Sequence, residues 1–130
     1  MSRYLADACA LIGFYTAAPG FPSSLRSLLE NDTGRVAVAA TTVWEIAIKT
    51  RLGKLPDIVA PGWPTLTDML SGQGYVLLPF DPATAEQATR LPPLHADPFD
   101  RALVAVAQRT GRMVLTADPL IGRYGVPVRW

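Results

Sequence analysis

The sequence predicts an α/β domain built on a central, mostly parallel sheet, and three observations predict it. Short runs of β-type residues alternate with helical stretches along the whole chain, an order that makes parallel sheets through helical crossovers. Hydrophobic residues make up 49% of the 130 residues and charged residues 18%, which suits one real hydrophobic core and excludes a disordered chain. Asp81-Pro82, Asp97-Pro98 and Asp118-Pro119 are three copies of one helix-start device. In each, Asp caps the helix and Pro takes the first helical position, where its missing N–H costs nothing.

The elements follow in order. A strand is expected over residues 3–6, then a helix over 8–17 that Pro19-Gly20 stops. A second helix fits 22–30, with Asn31-Asp32-Thr33-Gly34 as the turn behind it. Strand two covers 35–40 and carries Val36 and Val38. A strong helix over 43–52 has Thr42 as its cap and Gly53 as its stop. Residues 54–62 form a proline-bearing loop, and 64–71 a further helix. Strand three spans 75–78 and a helix 82–90. After the loop "LPPLHA" comes a helix over 98–110, ended by Gly111; its middle, 102–107, is apolar all round and so is expected to be buried. Strand four spans 113–116, a short helix 119–123 and a last strand 126–129. Without repeats or a long linker, a single domain over 1–130 is expected.

Composition excludes several function classes. The net charge of +1 sets up no global basic field, so a nucleic-acid role rests on local patches or on a metal. One cysteine, Cys9, and one histidine, His95, exclude an internal disulfide, a cysteine-rich zinc site and a histidine cluster. Asp7 interrupts the apolar start of the chain, which does not read as a signal peptide. No apolar run reaches the ~18 residues that span a membrane. A cytoplasmic protein with no membrane association is expected.

The acids follow the strand plan. Asp7 comes directly after strand one, Asp81 after strand three and Asp118 after strand four. Glu45 lies in the first turn of the helix after strand two, and Asp97 and Asp100 start the buried helix. In an open parallel sheet those positions share one rim, where ligands bind at the point of strand-order reversal. Carboxylates gathered in a cleft repel one another, and a divalent cation removes that cost. An all-oxygen donor set favours Mg²⁺ or Mn²⁺.

A plainer reading stands beside this one: all these acids cap helices. Thr42 and Glu45 have capping-box spacing, and Glu45 could pair with Lys49 at i, i+4. Asp7 fits the plainer reading least, because residues 4–14 contain no other charge. His95 could be a general base, but in its Pro-rich loop it reads as a surface histidine; Cys9 could be a nucleophile, but with no histidine near it in sequence it reads as a small buried residue. Thr116, two residues before Asp118, could hold a carboxylate or be a plain strand residue. Lys49, Arg51 and Lys54, or Arg101, Arg109 and Arg112, could touch phosphates or be solvated surface charges. Leu11, Phe14, Tyr15, Leu25, Leu28 and Leu29 are core, or a groove for a partner.

Four motifs in order carry a family resemblance: "YLADACAL", "TTVWEIAIKTRLGKL", "LPPLHADPFDRALVAVAQ" and "VLTADPLIGRYGVPVRW". Over nearly the whole chain they resemble a PIN domain, specifically the VapC-type toxins of type II toxin–antitoxin pairs. The resemblance implies a three-layer α/β/α fold and a Mg²⁺- or Mn²⁺-dependent endoribonuclease. Its acidic quartet would be Asp7, Glu45, Asp100 and Asp118. Asp7 and Asp100 would bind the metal most directly, with Glu45 and Asp118 completing the site directly or through waters. Asp97 would be a cap first and an auxiliary ligand second, and Thr116 would support the site from behind. Asp81 has no counterpart in the quartet. Asp7-Ala8-Cys9 lacks the hydroxyl that family members often carry after the first acid. Implied partners are RNA, a VapB-type antitoxin and a second copy of the chain. The alternatives are a PIN nuclease of RNA processing outside toxin–antitoxin biology and a non-catalytic α/β binding module.

Overall fold

The computed structural model describes residues 2–130. Its elements are β1 (Tyr4–Ala6), α1 (Ala8–Tyr15), α2 (Ser23–Asn31), β2 (Val36–Ala39), α3 (Ala40–Arg51) and α4 (Leu66–Gly72), then β3 (Val76–Leu78), α5 (Pro82–Thr89), α6 (Pro98–Thr110), β4 (Met113–Leu115), α7 (Pro119–Gly122) and β5 (Val128–Arg129). The five strands form one sheet in the order β3-β2-β1-β4-β5, and every pairing is parallel.

Side-chain alternation along the short strands makes the layers. Ala6, Val36, Val38 and Leu115 point to one face, where they pack with Leu11, Leu25 and Met69 from α1, α2 and α4. Leu5, Ala37, Ala39 and Val114 point to the other, against Leu103, Val104 and Val106 of α6 and Ile121 of α7. The result is a three-layer α/β/α arrangement. Residues Ala102 to Ala107 of α6 are all buried, as an all-round apolar stretch requires: one side meets the sheet while α5 and α3 cover the rest.

Several boundaries differ from those expected. Arg35 belongs to a 3₁₀ turn, Thr33–Arg35, where it pairs with Asp32 at 3.3 Å, and not to β2. α1 stops at Tyr15 because Ala17 has φ +50°, outside helical geometry. The larger correction is at α3. It starts straight out of β2 at Ala40, with Ala39 as an N-cap that makes no side-chain bond. Thr42 is thus inside the first turn and buried, so it does not cap the helix, and Thr42 with Glu45 is no capping box. Gly111 ends α6 at φ +65° as expected, a conformation that costs Gly little. None of the helices of the described residues is long and apolar enough to cross a membrane.

Candidate active site

The strand order reverses beside β1. The chain fills positions β1, β2 and β3 outward on one side, then returns across the sheet to lay β4 on the free edge of β1. The crevice between the C-terminal ends of β1 and β4 is therefore the switch point where a parallel sheet offers a ligand site. Asp7 follows β1 directly and Asp118 stands shortly after β4.

A cleft of about 40 Å³ opens beside that crevice, between the end of β1 and the helices α3 and α6, lined by Asp7, Ala8, Cys9, Thr42, Glu45, Phe99, Asp100 and Leu103. That is room for about one water-sized ligand. Three of the acids expected to meet thus share one cleft, although they come from the end of β1, from α3 and from α6. Asp118 does not line it, and neither do Asp97 and Asp81. Among the described residues, no three His, Cys, Asp or Glu side chains are gathered tightly enough to form a ready-made metal centre.

The electrostatics show what the gathering costs. Asp7 is pushed up from 3.8 to about 6, chiefly by burial, with the Glu45 and Asp100 charges adding to it. The Thr116 hydroxyl and the Ala10 N–H, 2.7 Å from Oδ1, oppose the rise. Asp100 is also raised, by burial first, then by Asp97, Glu45 and Asp118 against a lowering by His95. Lys49 supplies a counter-charge: its Nζ lies 2.6 Å from Glu45 Oε2, and that bond raises its pKa. The ammonium also stands 5.8 Å from the Phe99 ring centroid, and Phe99 meets Trp44 edge to face at 5.2 Å.

Capping and clustering turn out to be compatible. Asp7 caps α1, Asp81 caps α5 through the Thr84 N–H at 2.8 Å, Asp97 caps α6 through the Phe99 N–H at 2.8 Å, and Asp118 caps α7 through the Leu120 N–H at 2.9 Å. Glu45 and Asp100 cap nothing. Asp81 ends as a cap alone, its carboxyl held below the usual range by its bonds to Thr84.

His95 and Arg101 stand otherwise than expected. His95 is not a surface histidine: its side chain is 8% exposed and its Nε2 is 2.8 Å from Asp118 Oδ2. That bond holds the Asp118 carboxyl below its ordinary range. No local signal could have found the pair, whose members are separated by the whole of α6 and β4. Arg101 is the other. Its guanidinium donates to the carbonyls of Leu91 at 2.8 Å and Pro92 at 3.0 Å, with longer bonds to Thr89 and His95. Its donors therefore brace a loop and are not offered to phosphate. Arg112 is turned to Ser2 and Arg109 to Gln87, whereas Arg51 and Lys54 are exposed beyond Glu45 on α3 and the turn after it. Cys9, expected to be buried, is exposed, because α1 turns that side of the helix to the cleft mouth. Partial desolvation of its sulfur, then Asp7 and Glu45, hold the thiol above its ordinary pKa, so it is a poor nucleophile. Thr116 is buried and accepts the Asp118 N–H at 3.1 Å.

Solved structures share this architecture. A structure of FitAB bound to an IR36 DNA fragment aligns with a TM-score of 0.67 at 17% identity, covering 97% of this chain and 93% of that one. The VapBC2 structure from Rickettsia felis, bound to a DNA fragment from their promoter, gives a TM-score of 0.64 at 10% identity, covering 98% of both chains. FitAcB from Neisseria gonorrhoeae gives 0.59 at 19% identity, covering 96% and 95%. At these identities the likeness establishes the fold. No curated protein matches the sequence. The sequence pattern of the PIN domain matches residues 4–126, nearly the whole chain, and the chain belongs to the PIN domain family.

Proposed function

We propose that this protein is the toxin of a type II toxin–antitoxin pair, a VapC-type endoribonuclease that works with Mg²⁺ or Mn²⁺. The observation that carries the reading is the convergence of Asp7, Glu45 and Asp100 on one small cleft at the C-terminal end of β1, with Asp7 raised to about 6. Membership of a nuclease family and the FitAB and VapBC2 fold neighbours support it.

The donor set fits a hard divalent cation: carboxylate oxygens alone, in mutual repulsion, beside space for a water-sized ligand. Asp7 and Asp100 would hold it directly, and Glu45 and Asp118 would complete the site directly or through waters. When bound, such an ion neutralises charge on a phosphodiester and eases the ionisation of water. The rest falls to the chain's own groups. Glu45, held by its ion pair to Lys49, or Asp118 would accept the proton of an attacking water. Thr116 steadies Asp7 and the backbone of Asp118. Arg51 and Lys54 would take flanking phosphates of the RNA. In-line attack by water leaves 5′-phosphate and 3′-hydroxyl ends and needs no RNA 2′-hydroxyl.

The partner would be a small VapB-type antitoxin whose C-terminal segment lies over the first helices and the acidic cleft. Trp44 and Ile48 on α3 and Leu52 just after it form an exposed apolar stripe, which supports a homodimer. End-mapping of cellular RNA after brief expression, wild type against Asp100→Asn, tests the reading. Discrete new 5′-phosphate ends in the wild type alone are expected; identical RNA in both would overturn it.

The non-catalytic reading draws on the four acids that do cap helices. Metal titration separates the two. If wild type and Asp7→Asn/Asp100→Asn bind Mn²⁺ equally weakly and neither cleaves RNA, the caps are the whole story.

A further inference from the structure

Asp118 stands apart from the other acids of the quartet. It is half exposed, it lies outside the cleft that Asp7, Glu45 and Asp100 line, and it starts a helix of only four residues. A carboxylate so placed has free rotamers and every reason to turn to water. Yet both of its oxygens are engaged: Oδ1 accepts the Leu120 N–H at 2.9 Å, and Oδ2 meets His95 Nε2 at 2.8 Å.

The histidine is itself held from behind. Its Nδ1 lies 2.8 Å from the Tyr124 hydroxyl, and the two rings stack with centroids 5.5 Å apart and planes 24° from parallel. A carboxylate can only accept, so Nε2 carries a proton in this arrangement, and the imidazole has one orientation. The loop that bears His95 is tied to the first turn of α6 by the four carbonyl contacts of Arg101. That same turn carries Asp97 and Asp100. The stretch "HADPFDR" thus fixes the far side of the site as well as the near one.

We propose that His95, held by Tyr124 and by the loop that Arg101 braces, is a positioning residue that aims the Asp118 carboxylate at the acidic rim. The working unit is then Tyr124–His95–Asp118, and a truncated histidine costs activity through the acid it releases. This rests on the nuclease reading above. Partners that orient a ligating carboxylate in this manner are commonly worth about 10–100-fold in metal affinity or activity.

The test uses the purified full chain and three variants: His95→Ala, His95→Gln and Tyr124→Phe. Each is measured for kcat and KM on RNA and for Mn²⁺ affinity. The imidazole ¹⁵N–¹H spectrum is a further readout, and its assignment is unambiguous because His95 is the only histidine. His95→Ala is expected to lower kcat or Mn²⁺ affinity by about 10–100-fold while the KM for RNA changes little. His95→Gln, whose amide N–H reaches the place of Nε2, should recover most of that loss. Tyr124→Phe should lose less, in the same direction. In the spectrum, Asp118→Asn should shift the Nε2–H resonance. The inference is overturned if wild type binds Mn²⁺ and cleaves RNA while His95→Ala equals it. It is equally overturned if His95→Gln is as poor as His95→Ala, or if Asp118→Asn leaves the imidazole resonances in place. Should wild type itself neither bind Mn²⁺ nor cleave RNA, the nuclease reading fails first and the positioning role falls with it, a result that the wild-type arm alone identifies.

Discussion

Replacing Asp7 by Asn removes one negative charge and little else. The amide oxygen still accepts the Ala10 N–H that starts α1, a bond of 2.7 Å in the wild type, and Asn caps helices about as well as Asp. What changes is the electrostatic load. Asp7 in the folded protein titrates near 6, against 3.8 for an unhindered Asp. A carboxyl displaced that far is less favourable by about 3 kcal/mol when ionised than when protonated. The sign follows from proton binding. Between the two pKa values the folded chain holds a proton that the unfolded chain has released, so stability falls as pH rises through that window. Below about pH 4 both states are protonated and wild type should match Asp7→Asn. At pH 8 in EDTA the variant should be the more stable by up to about 3 kcal/mol, which is about 10 °C in Tm for a chain of this size. Thermal and urea unfolding at pH 4, 6 and 8 measure the difference. Mn²⁺ should reverse it: at a thousandfold excess over Kd a ligand stabilises its protein by about 4.1 kcal/mol, and the variant has lost a ligating oxygen's charge. A difference independent of pH, or a variant less stable than wild type at pH 8 in EDTA, would refute the view of this cleft as a strained cluster of carboxylates.

Four further outcomes are expected. Asp100→Asn should abolish RNA cleavage with little loss of stability, since Asp100 caps nothing and its charge is already disfavoured by burial and by Asp97; activity assays and melts on one preparation check it. Asp97→Ala should cost about 1 kcal/mol through loss of the bond to Phe99 N–H, as cap losses do, and should leave most of the cleavage activity. Lys49→Gln should lower Tm in EDTA by leaving Glu45 unpaired, while tightening Mn²⁺ binding because a competing cation has gone; calorimetric titration reads the second effect. Sequencing of the cleaved RNA should find 5′-phosphate and 3′-hydroxyl ends, and a 2′,3′-cyclic phosphate would rule out attack by water.

Periodicity and punctuation made most of the fold readable. Strand residues such as Val36 and Val38 alternate, Asp-Pro pairs mark the starts of α5, α6 and α7, and Gly111 marks the end of α6. These are local effects, decided within a turn or a strand, so one sequence contains them. The error at α3 has the same origin. Thr42 with Glu45 has the spacing of a cap, but the chain passes from β2 into the helix without a loop, and the tight join at Ala39 and Ala40 overrides the local preference.

The site divides along the same line. The sequence by itself determined the donor chemistry: with one histidine and one cysteine, any metal here must rest mainly on oxygen, and Asp7 in an apolar stretch needs a reason to be charged. It also determined that the acids follow strands and start helices. Only the tertiary structure decided which of them meet. The return of the chain from β3 to β4 across the sheet puts Asp100 beside Asp7 and Glu45, leaves Asp81 on the outer strand's side, and sets Asp118 against His95. Those are contacts between residues tens of positions apart, created by strand order and burial, and no spacing in the chain encodes them.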